Sequence, residues 1–237
     1  MDVPACRAAV AAAVDRRAVQ EVLGGPGVAL RTSRLWPGAL PGGPDDRDPR
    51  PDAGAARAAL AECGQPEGFA TVMAVADVTS NVAVAEEVAA RLAEVGIDVE
   101  VRPLDAAAFY ATDVGNPDRV RDNGYGLVLA TWTSDFPTPA TFLQPLVDSR
   151  SIQPVGNTNY ARLRVPEVDA AVDAALAAPD AGAARDAWRE VADLARGTEA
   201  YVPLVETRVQ LVAGQRLRNG VVMQPYSGYD LATAGVR

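Results

Sequence analysis

An α/β fold is what this 237-residue sequence predicts, and three stretches carry the prediction. Residues 69–76 and 97–104 are apolar runs of strand length, and residues 80–95 between them repeat apolar letters at helical spacing. Strand, helix and strand joined by short links make a right-handed parallel pair in a covered sheet. A third apolar run, from Tyr125 toward Trp132, extends that sheet.

The remaining elements follow in order. Cys6, Val10, Val14, Ala18 and Val22 recur every four residues with Arg7, Asp15 and Arg16 off the stripe, which predicts a helix over 4–23 stopped by Gly24 and Gly25. Gly24-Gly25-Pro26-Gly27 follows a helix rather than a strand and lacks the spacing of a nucleotide loop, so it reads as a helix stop, not a phosphate cradle. Residues 24–51 are rich in Gly and Pro, with turn signals at Trp36-Pro37-Gly38 and Pro41-Gly42-Gly43-Pro44, and read as a long ordered loop. Residues 52–63 form a helix with Ala56, Leu60 and Cys63 on one face. The 80–95 helix sets Val84, Val88, Leu92 and Val95 against Glu86, Glu87, Arg91 and Glu94. A short helix at 105–112 and a polar loop lead to the 125–132 strand. Beyond it come a short helix at 140–147 and a polar loop holding Gly156-Asn157-Thr158-Asn159-Tyr160. Pro166 then opens a helix whose core face is Val168, Val172 and Leu176. A further helix at 183–196 puts Trp188 on the same stripe as Ala184, Val191 and Ala195, hence in the core. Residues 201–211 and 217–223 read as strands.

Composition excludes several functions. The net charge of −9 argues against nucleic acid or an anionic membrane surface as partner, since both demand a basic face. No apolar run is long enough to span a bilayer, and the amino terminus does not read as a secretory signal. The sequence has neither His nor Lys, which removes histidine-dependent triads, imidazole metal sites, Schiff-base chemistry and a Walker lysine. Asp45-Asp46-Arg47-Asp48 lacks the spacing of a calcium loop and reads as a solvated turn, so no metal and no cofactor are expected. Paired-carboxylate hydrolysis stays open, because such partners can be distant in sequence.

One segment has the character of a binding site. Trp132-Thr133-Ser134-Asp135-Phe136-Pro137 emerges where the 125–132 strand ends. Ligands of open α/β sheets sit beyond the carboxyl ends of the strands, so an aromatic wall and a carboxylate there suit an organic cation; the other reading is a capped strand end with a solvated Asp.

Five segments taken together resemble the solute-binding proteins of peptide-type ABC importers, family 5. They are CRAAVAAAVDRRAV at 6–19, AECGQPEGF at 61–69, RLAEVGIDV at 91–99, TWTSDFP at 131–137 and GNTNY at 156–160, in matching order and separation. The resemblance implies a periplasmic-binding-protein-like (type II) lobe, a mixed sheet flanked by helices. It covers the carboxyl-terminal part of such proteins: residues 1–204 as the second lobe of two, and residues 205–237 as a tail that returns to the missing first lobe. It further implies a receptor without enzymatic activity, extracytoplasmic and anchored at the membrane as a lipoprotein. Its ligand would be a small molecule or peptide, with peptide favoured, and its partner an ABC-transporter membrane permease. Asp135 would hold a ligand's α-ammonium, with Trp132 and Phe136 beside it. An isolated-lobe sensor or interaction protein and a small carboxylate hydrolase are the alternatives.

Cys6 and Cys63 each lie on the apolar stripe of a helix, so two packed helices can bring them within bridging range, and an extracytoplasmic location permits a disulfide. The other reading is a pair of buried free thiols.

Overall fold

A computed structural model describes residues 1–38, 40, 49–223 and 228–237. The Asp45–Asp48 run lies outside the described residues.

Two helices, α1 (Pro4–Ala13) and α2 (Arg16–Val22), replace the single helix expected over 4–23. The break is local chemistry: Asp15 adopts an extended backbone and its carboxylate accepts from the Arg17 and Ala18 N–H groups at 2.8 and 3.2 Å, capping a new helix. The kink lets Arg16, 5% exposed, donate to the carbonyls of Thr32 and Pro203 at 3.0 and 2.8 Å. Val19 then becomes the buried apolar residue of α2 while Val22 is 42% exposed, so the apolar stripe does not continue.

The expected loop after α2 contains a strand, β1 (Ala29–Arg31), which pairs antiparallel with β5 (Val205–Thr207). Of the strand expected over 201–211 only Val205–Thr207 is strand, with flanking bonds from Thr32 N–H to Leu204 O at 3.2 Å and from Arg208 N–H to Val28 O at 2.6 Å. Helix α3 (Ala53–Glu62) is capped by Asp52, whose side chain accepts from Ala55 N–H at 2.9 Å.

Strand β2 (Phe69–Ala76), helix α4 (Thr79–Ala93) and strand β3 (Ile97–Leu104) form the expected crossover, with β2 and β3 parallel from Phe69↔Ile97 to Ala76↔Leu104. Strand β4 (Tyr125–Leu129) pairs parallel on the other side of β2, giving the order β3-β2-β4. It ends three residues short of Trp132, leaving that segment free to leave the sheet. Within the expected polar loop before β4 lies a further helix, α5 (Pro117–Asp122); Asn116 caps it and Pro117 opens it.

Side chains alternate across the central strand, and this divides the interior. Met73 and Val75 pack with Val84, Val88 and Leu92 of α4 and with Val10, Leu60 and Ile97. Ala74 and Ala76 face the other way and lie with Phe109, Val114 and Val120, their small size admitting the Phe109 ring close to the sheet. A third core joins α6 (Pro139–Val147), α7 (Pro166–Leu176) and α8 (Ala181–Gly197) around Leu143, Val172, Trp188 and the fully buried Trp36. Trp188 is thus a core residue, as its periodicity predicts. The last strands, β6 (Leu217–Arg218) with β9 (Gly235–Val236) and β7 (Val222–Met223) with β8 (Gly228–Tyr229), pair antiparallel among themselves. Helices thus flank a small parallel sheet, with antiparallel pairs outside it. No helix among the described residues is long and apolar enough to cross a membrane.

The Cys6 and Cys63 sulfurs are bonded, with Cα atoms 5.3 Å apart, joining α1 to the end of α3.

Candidate functional site

Beyond the carboxyl ends of the parallel strands lies a cleft of about 490 Å³ lined by three short segments. One is a π-helical turn (Phe109–Asp113) that presents Tyr110 and Ala111; such turns recur at functional sites because the widened spiral re-aims a side chain. Another runs from Thr131 to Asp135, and the last is the 156–160 loop.

Each wall is held by identifiable bonds. The Tyr110 hydroxyl accepts from Thr131 N–H at 3.0 Å and lies 3.0 Å from Thr131 Oγ1, tying the turn to the segment after β4. Gly115 lets the turn close: a Cβ there would sit 1.9 Å from the Tyr110 carbonyl oxygen, so no larger residue fits without moving backbone. The Gly115 carbonyl in turn accepts from Asn157 N–H at 2.9 Å, joining the turn to the loop opposite.

Within that loop Asn159, 0% exposed, is the hub. Its Nδ2 donates to the carbonyls of Asp148 and Leu163 at 3.1 and 3.0 Å, and its Oδ1 accepts from Leu163 N–H at 2.8 Å and from the Tyr201 hydroxyl at 3.3 Å. Thr158 Oγ1 donates to Pro145 O at 2.7 Å, anchoring the loop on α6. Rings complete the walls: Tyr160 lies 6.0 Å from Tyr110 and 6.4 Å from Trp132 between centroids, the latter pair edge-on at 74°.

Asp135 is exposed at the mouth, with no ion-pair partner among the described residues, and is the one carboxylate among the described lining residues. The turn carrying it is stapled to the start of α6: Ser134 Oγ donates to the Phe136 carbonyl, and Phe136 N–H donates to Thr141 Oγ1 at 3.3 Å. Phe136 itself is 62% exposed and stands beside the cleft rather than in its lining. Cys6 and Cys63 are not among the lining residues.

Trp132 and Asp135 therefore meet in one cleft, whereas Tyr110, Ala111, Asn157, Thr158 and Tyr160 were not singled out as site residues from sequence. The GNTNY segment carries part of the family resemblance but otherwise reads as a polar loop, and Tyr110 gives no signal beyond a short helix. Burial pushes the Tyr160 phenol up to about 12, with the neighbouring Tyr110 adding to it, so the ring stays neutral at physiological pH.

A buried acid supports the loop from behind. Burial alone would raise the Asp148 carboxyl, but bonds from the Arg150 side chain and backbone N–H, both 2.8 Å, hold it below the ordinary carboxylate range. A carboxyl depressed in the folded state stabilises fully above its unfolded value, about 4, and that contribution is lost as pH falls through the folded value. Asp148→Asn is therefore expected to cost stability at pH 7 and to converge on the parent toward pH 2. Urea unfolding across that range checks it, and a constant difference between the two proteins would contradict the assignment.

A wider depression of about 710 Å³ runs along the exposed face of α8. Arg189 in its lining pairs with Asp186 at 3.5 Å, and no aromatic ring is among its described lining residues.

Residues 1–154 match the family model described as bacterial extracellular solute-binding proteins, family 5 Middle. Among solved structures, 99% of the chain superposes on a clavulanic acid biosynthesis oligopeptide binding protein 2 with a TM-score of 0.90 and 34% identity, covering 44% of that protein. An ABC transporter-associated periplasmic binding protein from Helicobacter pylori, in complex with the peptide STSA, matches 98% of the chain at TM-score 0.80 and 18% identity, with 44% of its own length covered. A dipeptide binding protein from Pseudoalteromonas sp. SM9913 in complex with Met-Leu matches 100% at TM-score 0.77 and 20% identity, with 46% covered. The chain thus spans less than half the length of these proteins. No curated protein sequence matches it.

Proposed function

The chain belongs to the bacterial extracellular solute-binding proteins, family 5, and from that premise we propose that it is the second lobe of a two-lobed receptor that binds a solute, with peptide the favoured class, for ABC import. The observation that carries this reading is the meeting of Trp132 and Asp135 in one cleft beyond the parallel strands. Residues 1–204 supply this lobe's half of the site, and residues 205–237 return toward the other lobe, a membrane permease being the partner that receives the solute. The receptor works outside the cytoplasm, tethered to the membrane. Asp135 takes the ligand's ammonium, Trp132 lies against the adjoining group, and Phe136 covers the mouth on closure. With one carboxylate among the described lining residues, the cleft favours binding over paired-carboxylate hydrolysis.

A carboxylate meeting an ammonium is a charge-assisted bond of roughly 1.5–3 kcal/mol where water is excluded, and much less where both stay hydrated. Asp135→Asn is therefore expected to weaken peptide binding about ten- to hundredfold in a two-lobed receptor carrying this lobe, and only about two- to fivefold in the isolated chain, whose half-cleft binds in the millimolar range. Calorimetry and NMR titration with Ala-Ala-Ala and its N-acetylated form measure both. An Asp135→Asn variant that binds as well as the parent removes Asp135 from the site, and equal affinity of lobe and two-lobed receptor sinks the shared cleft.

A further inference from the structure

We infer that the part of the cleft walled by Tyr110, Ala111, Gly156, Thr158 and Tyr160 is a subsite for one apolar, preferably aromatic, side chain of the ligand and rejects an acidic one. The inference rests on the reading of the cleft as a peptide site and adds what that reading leaves open, the selection among peptides.

Judged by residue type this wall is polar, yet apart from the Tyr160 hydroxyl its side-chain polar atoms are bonded within the protein or sealed from solvent. The Tyr110 hydroxyl is engaged by Thr131, and Thr158 Oγ1 donates to Pro145 O at 2.7 Å. Asn157 is 1% exposed; its Nδ2 donates to Asn159 O at 3.0 Å, which fixes the amide orientation, and its Oδ1 is sealed from solvent. The Trp132 indole Nε1 is sealed in the same way, so this ring can offer the cleft only carbon edge and π face. What remains toward a ligand is therefore the Tyr110 and Tyr160 rings, the Ala111 and Thr158 methyl groups, the Gly156 backbone and, among the described residues, one free side-chain polar group, the Tyr160 hydroxyl.

Such a wall suits an aromatic side chain for two reasons. Tyr160 stands edge-on to Trp132 at 74° and tilted 45° to Tyr110, so the rings form a corner against which a further ring can pack in offset or edge-to-face contact. No cation is available to an incoming carboxylate, because the described lining residues include no Arg and their one charge is negative. An acidic side chain would lose its hydration with no cation to replace it, in a cleft whose one described lining charge is negative.

NMR titration of this chain with tripeptides in which each position of Ala-Ala-Ala is changed in turn to Phe or to Asp tests the subsite. At one position Phe is expected to tighten binding about fivefold or more over Ala, and Asp to weaken it by as much. Ala111→Arg, at an exposed position of the lining, places a base in the subsite and is expected to reverse the order so that the Asp peptide overtakes the Phe peptide. Peptides that bind within twofold of one another at all positions, or an Ala111→Arg chain with the parent's ranking, overturn the subsite. In that case a uniform loss for all peptides in Asp135→Asn still leaves the ammonium contact standing. Absence of binding by every peptide overturns both readings together.

Discussion

Removing the Cys6–Cys63 bond is expected to lower the stability of the chain by about 4 kcal/mol. The bond closes a loop of 57 residues, and in the chain-entropy model a cross-link of that span restricts the unfolded ensemble by this amount. For a domain of this size the loss corresponds to a fall in Tm of about 10 °C. The native state around the bond would remain built: Arg7 still donates to Thr198 O at 2.9 Å, Asp52 N–H to Ala12 O at 2.8 Å, and the α1–α3 interface keeps Val10, Ala56 and Leu60 buried. The effect should therefore appear as a shift of one cooperative transition rather than loss of the fold. Thermal unfolding of the Cys6→Ser, Cys63→Ser double variant against the oxidised parent measures it. A shift below 2 °C would show that the bond is not formed or that its closure does not limit the unfolded chain.

Asn159→Leu, close to isosteric, is expected to cost roughly 3–5 kcal/mol and to abolish the cleft. Asn159 holds four partners in a position without solvent, and Leu would leave Leu163 N–H, the Asp148 and Leu163 carbonyls and the Tyr201 hydroxyl competing for fewer bonds, at roughly 1–3 kcal/mol for each group left unpaired. Tyr201 retains the Leu146 carbonyl, so the loss falls on the loop. Arg162, whose φ of +54 is an uncommon backbone for a residue other than glycine, is held through its N–H to Asn159 O at 2.8 Å and should relax with it. Tyr160 and Thr158 then lose their fixed places in the wall. Urea unfolding gives the stability, and peptide titration of the folded variant gives the site. A cost below 1 kcal/mol with peptide binding retained would show that the loop does not depend on this hub.

The elements legible in the sequence are those whose signal is contained in their own residues. Strands β2 and β3 fall on the residues expected, and α3, α4, α6, α7 and α8 begin and end within two residues of their periodic runs, because apolar spacing acts locally, as do Asp at the start of α3 and α8 and Pro at the start of α6 and α7. The break at Asp15 was hidden because the four-residue spacing of Val10, Val14 and Ala18 continues across it, while the deciding bonds of Arg16 reach Thr32 and Pro203. Strand β1 was invisible for the same reason: three residues are a strand only by virtue of partners at 205–207. Helix α5 is the one that a closer reading finds, since Asn116-Pro117 is a cap followed by the residue that favours the first helical position. At the candidate site, Trp132 and Asp135 are legible because an apolar strand precedes them. Tyr110 and Tyr160 reach the cleft through the fold, on a π-helical turn and a polar loop that mark no side chain in advance.

The hydrogen bond from Asn157 to the Gly115 carbonyl bears on kinetics. It locks two walls of the cleft into a single body before any ligand arrives, so little ordering entropy remains to be lost at the moment of encounter. Different solutes would then be captured by this lobe at similar rates, and the discrimination among them would lie in how long each one stays.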